Sequence, residues 1–191
     1  AERYRQSILT DKPEIDGHLT ETSPSKTFLQ KIKVVLQEMG NGHPRIERWF
    51  RRTLSKPALA TLQTVWSMGP DTSREYIKNN TYIFYSLQYY RESRVTMRAP
   101  AFYDQAAFIE YLSRCIPTSM ELVVKDHPQQ LGAMPTSDIR SISRFATLIS
   151  PNVSAHNVIQ NAEAVVTLNN TVGHEAIIAG KPVIALGDAL Y

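Results

Sequence analysis

Two short stretches carry residue types that can do chemistry. Lys125-Asp126-His127-Pro128 sets an ammonium, a carboxylate and an imidazole side by side, with a proline directly after them. Imidazole titrates near neutrality, so His127 can donate to a phosphate oxygen or move a proton, with Lys125 adding charge for the same anion. A loop histidine before a proline is also an ordinary turn. Further along, Asn169-Asn170-Thr171-Val172-Gly173 leads into a helical pattern. The first amides of a helix lack intrahelical partners and sit at the positive end of its dipole, which suits a phosphate. Asn170 and Thr171 are equally good as plain N-caps. Glu175 falls one turn into that helix, where a carboxylate can accept both hydroxyls of a ribose or complement the dipole. His174 beside it reads as a surface or packing residue.

These residues converge only if the elements between them bring them to one edge. Short β-rich runs recur at Tyr82 to Leu87, Glu121 to Lys125, Thr147 to Ile149, Ala164 to Leu168 and Pro182 to Leu186. Segments with apolar residues at helical spacing separate them: Tyr103 to Cys115, Asp138 to Phe145, Ala155 to Ala162 and Val172 to Ala179. The alternation predicts an α/β fold with a doubly wound, Rossmann-like parallel sheet of about five strands, buried on both faces. In the order 3-2-1-4-5 the first and fourth strands are neighbours, and ligands bind where the chain reverses between them. The loops at that point begin at Gln88 and at Asn169. Gly180-Lys181-Pro182 reads as the stop of the preceding helix.

Residues 1–25 are polar and aperiodic, with Pro13, Gly17 and Pro24, and read as an irregular leader or the tail of a preceding domain. A helical segment is expected over 26–80: one helix from about Lys26 to Glu38, one from about Pro44 carrying Arg45, Arg48, Arg51 and Arg52 around Trp49 and Phe50, and one from about Ala58 to Met68. The arginine-bearing helix fits a solvated face better than an anionic glycolipid or membrane surface. Residues 81–191 form the Rossmann-like domain. The chain starts without Met and stops at Tyr191 just past a strand-like run, so the expectation is a piece of a longer protein, cut within this domain.

Composition narrows the function. The 191 residues are 42% hydrophobic, enough for one ordinary core. With only 8 glycines, a phosphate site here is not a Gly-rich loop. A net charge of +3 is too small for the basic footprint of a duplex-binding protein, so no nucleic-acid partner is expected. The single cysteine, Cys115, cannot form an internal disulfide, and the 5 histidines show no metal-ligand spacing. No apolar run approaches the ~20 residues that span a bilayer, and the first residues lack a signal-peptide core. A reducing, cytoplasmic site is expected. Tyr85, Tyr89, Tyr90 and Tyr103 suit base stacking, although packing accounts for most tyrosines.

Taken together, the strand with Lys-x-His-Pro, the later Asn-x-Thr-Val-Gly-x-Glu-Ala, then Gly-Lys-Pro-Val-Ile and Gly187 resemble the capsule polysaccharide biosynthesis family of bacterial glycosyltransferases, which includes Kdo transferases. The resemblance runs from about Ile83 to Tyr191 and takes in Leu87-Gln88, Glu92-Ser93 and Ala99-Pro100. It implies the donor-binding C-terminal half of a two-domain GT-B enzyme, with a CMP-activated acidic sugar such as CMP-Kdo as donor and a glycan or glycolipid as acceptor. Peripheral association with the inner membrane is an expectation of this resemblance alone. It implies that His127 and Pro128 contact the donor phosphate and that Thr171, Val172 and Gly173 lie near the nucleotide. This chain departs from the family pattern at Asn170, where Ser is usual, and at His174, where an apolar residue is usual.

The reading therefore expects Gln88, Lys125, His127, Pro128, Asn170, Thr171, Val172, Gly173 and Glu175 to line a nucleotide-sugar site. His127 is the catalytic candidate, with no metal and no cofactor beyond the donor substrate. Phosphate held by His127 and the Thr171 helix start would stabilise the leaving CMP as charge develops on it, and the base or nucleophile would come from outside this chain. Rival readings are a GT-B enzyme using a UDP-sugar or CDP-glycerol-type donor, and a non-catalytic α/β binding module.

Overall fold

A computed structural model describes residues 56–89 and 99–189 of the chain. The leader, the two earliest expected helices with their arginines, and Tyr90, Glu92 and Ser93 lie outside these residues. The described elements are helices α1 (Lys56–Trp66) and α2 (Pro70–Asn79), then β1 (Tyr82–Ser86), α3 (Gln105–Cys115), β2 (Glu121–Lys125), α4 (Thr136–Ile142), β3 (Thr147–Ile149), α5 (Ala155–Asn161), β4 (Ala164–Thr167), α6 (Thr171–Ile178) and β5 (Val183–Ala185). All strand pairs are parallel, in the order β3-β2-β1-β4-β5. This is the expected doubly wound arrangement, with the reversal between β1 and β4.

Alternation along the strands builds two cores. Tyr82 and Phe84 of β1, Val123 of β2, Ile149 of β3 and Val165 of β4 face Ile77, Val158, Ile159 and Ala176 on α2, α5 and α6. Tyr85, Leu122, Val124, Leu148 and Val166 face the other way, toward Phe108, Ile109, Ile139 and Ile142 on α3 and α4. Covering both faces is what lets central strands be apolar throughout. The phenol of Tyr82 donates to the Val158 carbonyl at 2.7 Å, which keeps a fully buried hydroxyl paired. Tyr85 packs edge-on against Phe108.

The helices before the sheet are part of this packing. Helix α2, absent from the expectations as a separate element, starts with Pro70 at its first position and Asp71 in its first turn, both favourable there. Buried Ser73 on α2 accepts from Ser150 N–H at 2.9 Å, and Met68 N–H donates to Leu148 O at 2.9 Å, so the α1–α2 corner is stitched to the end of β3. At the far side of the sheet the expectation of burial on both faces fails: Ile184 on β5 is 52% exposed, whereas Leu148 and Ile149 on the other edge strand, β3, are buried. Gly180 ends α6 with φ +74°, a conformation that costs a residue with Cβ, so Gly180→Ala should lower stability by ~1 kcal/mol in denaturant melts.

Candidate functional site

Parallel strands send all their carboxyl ends to one edge, so the segments after β1, β2 and β4 meet there. Lys125 is the last residue of β2 and is buried, with Nζ against the Asp126 carbonyl at 3.4 Å. Burial pushes its pKa down to about 8, with Asp126 and Glu175 acting in the opposite direction. Half-buried Glu175 on α6 has its carboxyl pushed up by burial and pulled back by Lys125. Lys125 and Glu175 thus feel each other from either side of the β1 end, so the fold brings these two candidates together. Burial, and then Lys125, hold the His127 imidazole below its ordinary range, while Asp126 acts the other way.

Under these groups lies a buried polar network that the sequence patterns do not signal. The Asp126 carboxylate accepts from Gln63 Nε2 at 2.5 Å, Gln130 Nε2 at 2.9 Å and His127 N–H at 2.7 Å. Gln63 on α1 also accepts from Gly132 N–H at 2.9 Å, so the helix before the sheet clasps the loop that carries His127. Gln130 passes from Asp126 to the Gln88 carbonyl at 3.0 Å. Gln105 holds both backbone groups of Gln88, accepting from its N–H at 2.7 Å and donating to its C=O at 3.1 Å. Gln88 itself is buried, and its side-chain nitrogen has no hydrogen-bond partner among the described residues. Glutamines distant in sequence and without a motif read as surface residues until the fold joins them.

Pro128 occupies the first position of a short 3₁₀ turn, Pro128–Gln130, with His127 as its N-cap: Nδ1 of the imidazole accepts from Gln129 N–H at 3.2 Å. Tyr89 OH lies 3.0 Å from the same Nδ1 and the two rings are 5.0 Å apart. Of the other tyrosines weighed for stacking, Tyr85 is core and Tyr103 borders a cleft of about 220 Å³ with Asp104, Gln105, Ala106, Met134 and Asp138. That cleft opens at the start of α3, displaced from His127, and Gln105 belongs both to it and to the Gln88 network.

Helix α6 starts at Thr171, one residue before the expected Val172. Asn170 is its N-cap residue but makes no side-chain cap; its Oδ1 accepts instead from the buried Thr167 hydroxyl at 2.7 Å. Thr171 is exposed, Val172 packs on the core built around Tyr82 and Phe84, and Gly173 is buried. The helix start is therefore left with uncapped amides beside an exposed hydroxyl. Among the described residues, no group of three His, Cys, Asp or Glu side chains is placed to hold a metal ion, and no helix is long and apolar enough to cross a membrane.

The family model for "capsule polysaccharide biosynthesis protein" matches residues 55–191, which span helix α1, the whole sheet and every residue of this edge. The chain belongs to the capsule polysaccharide biosynthesis family. Within it, the chain is 32% identical over 116 residues to Protein FixF of Sinorhizobium fredii (strain NBRC 101917 / NGR234), covering 58% of this chain and 27% of FixF. It is 30% identical over 115 residues to the capsule polysaccharide export protein KpsS of Escherichia coli, covering 55% of this chain and 29% of KpsS. The chain thus spans under a third of the length of these curated relatives. In fold it is similar to the β-Kdo 2,7-transferase KpsC of Thermosulfurimonas dismutans, with a TM-score of 0.50, 23% identity, and coverage of 76% of this chain and 46% of KpsC.

Proposed function

We propose that this capsule-family chain is the donor-binding half of a GT-B-type glycosyltransferase of surface polysaccharide or glycolipid synthesis, and that it binds a CMP-activated acidic sugar such as CMP-Kdo. The observation that carries the reading is the α6 start: a helix whose natural cap, Asn170, is turned away onto Thr167, at the edge where Lys125 ends β2 and His127 follows in the next loop. Uncapped amides, a helix dipole, an ammonium and an imidazole together suit a nucleotide phosphate. Glu175, a turn further on, lies where a ribose would be reached. With the phosphate so held, these groups oppose the charge that develops on the departing CMP. The acceptor, a glycan or glycolipid, and the remaining catalytic groups belong to parts of the protein outside the described residues. The peripheral inner-membrane location follows from the acceptor, not from this domain.

The experiment is calorimetry with CMP. A hydrogen bond to a charged group contributes roughly 1.5–3 kcal/mol, so His127→Ala should weaken CMP about ten- to hundredfold while the thermal melt stays near that of the parent. Unchanged affinity in a folded variant would take His127 out of the site. Glu175→Gln should weaken CMP more than 2′,3′-dideoxy-CMP; equal losses would assign Glu175 to the helix dipole.

A further inference from the structure

The His127-Pro128 pair is a capping unit as well as a sequence motif, and its geometry restricts what the imidazole can do. Proline has no N–H, so the first free amide of the turn belongs to Gln129, and it points at Nδ1 of His127 at 3.2 Å. A backbone N–H can only donate, so Nδ1 must present its lone pair and the ring proton of neutral His127 must sit on Nε2. Tyr89 OH, 3.0 Å from Nδ1 and 3.3 Å from Gln129 Oε1, allows two wirings. It can donate to Nδ1 alongside Gln129 N–H. In the other wiring Nδ1–H would donate to Tyr89 and Tyr89 on to Gln129 Oε1, but that sets the Gln129 N–H against an N–H. Only a wiring in which Nδ1 accepts satisfies the backbone amide, whether Tyr89 OH donates to Nδ1 or to Gln129 Oε1.

We propose that Tyr89, Pro128 and the Gln129 amide lock His127 as the neutral Nε2–H tautomer, so that it serves the ligand phosphate as an uncharged hydrogen-bond donor, with Tyr89 as a positioning residue. The extension to a phosphate rests on the nucleotide reading above; the tautomer does not. Protonating this ring requires Nδ1 to give up its lone pair to a proton while facing the Gln129 amide. Burial and the nearby Lys125 ammonium also work against the imidazolium, and only Asp126 favours it. Among the described residues Nε2 has no hydrogen-bond partner, which leaves that N–H for a ligand. His127 in this form donates a hydrogen bond to the departing phosphate and delivers no proton to it.

The test is nitrogen NMR of the ¹⁵N-histidine-labelled 191-residue chain at pH 7.5, free and saturated with CMP, with the His127 signals identified by their loss in His127→Gln. The expected spectrum shows a neutral ring protonated at Nε2 in both states. An Nδ1–H ring, or an imidazolium in the CMP complex, overturns the proposal. Tyr89 is 38% exposed, so Tyr89→Phe should fold normally. It should keep Nε2–H as the main form and weaken CMP about threefold, the order of one modest hydrogen bond. A change of Tyr89→Phe from Nδ1–H in the parent to Nε2–H would establish the rejected wiring. If CMP fails to bind while the free chain shows Nε2–H, the nucleotide reading falls and the tautomer assignment stands.

Discussion

Asp126→Ala should destabilise the domain by about 3–5 kcal/mol, seen as a fall in the denaturant midpoint, and should loosen the His127 loop with it. The carboxylate is 4% exposed and holds two glutamine amides and the His127 N–H. Removing one partner of a buried network leaves each of those donors with its desolvation penalty and nothing to offset it. The loss should be shared with Gln63→Ala. Because both residues act on one loop, the double variant should lose clearly less than the sum of the two single losses. Full additivity would show that Gln63 on α1 and Asp126 just after β2 do not act as a unit. Through Gln63, α1 is tied to the loop that carries His127, so on the proposed reading trimming the chain to the sheet alone should lose ligand affinity as well as stability.

Lys125→Met should do the reverse for stability: the variant becomes more stable at pH 7 while binding CMP at least tenfold more weakly. Moving the lysine from its ordinary 10.5 to about 8 corresponds to roughly 3 kcal/mol of cost for the charged form at neutral pH. Between those two values the unfolded chain holds a proton that the folded chain has released. By linkage, the stability of the parent should therefore rise with pH from about 8 to 10.5, and the Met variant should show no such rise. A lysine that works against folding and persists at the edge of a sheet is what a binding site looks like when its charge is kept for a ligand. A variant less stable than the parent, or one with a flat parent profile, would mean that Lys125 is compensated by Glu175 and is structural.

Much of this fold is legible in the residues. Val123 and Val124, Val165 and Val166, and Ile149 are apolar on both sides of their strands because helices cover both faces, and such runs separated by amphipathic stretches have few other solutions. Glu121–Lys125 and Thr147–Ile149 start and stop where the sequence places them. Strand β5 is the instructive departure: Val183-Ile184-Ala185 has the composition of a buried strand, but composition cannot reveal that Ile184 is left half exposed among the described residues. The candidate site was legible in its ends and not in its support. Lys125, His127, Thr171 and Glu175 announce themselves by type and by position at strand ends and a helix start. Gln63, Gln105 and Gln130 do not, because an amide acquires a role only when the fold points it at a partner. Asn170 shows the converse, a residue of ideal capping type whose side chain the buried Thr167 hydroxyl draws away from the cap.

The most direct measurement is a calorimetric titration of the 191-residue chain with CMP, UMP and inorganic phosphate in parallel. The account predicts saturable binding of CMP, weaker binding of UMP, binding of phosphate weaker still, and loss of all three in the His127→Ala, Lys125→Met double variant. Indifference to every nucleotide, or CMP binding that survives the double variant, would contradict it and place the function of this edge elsewhere.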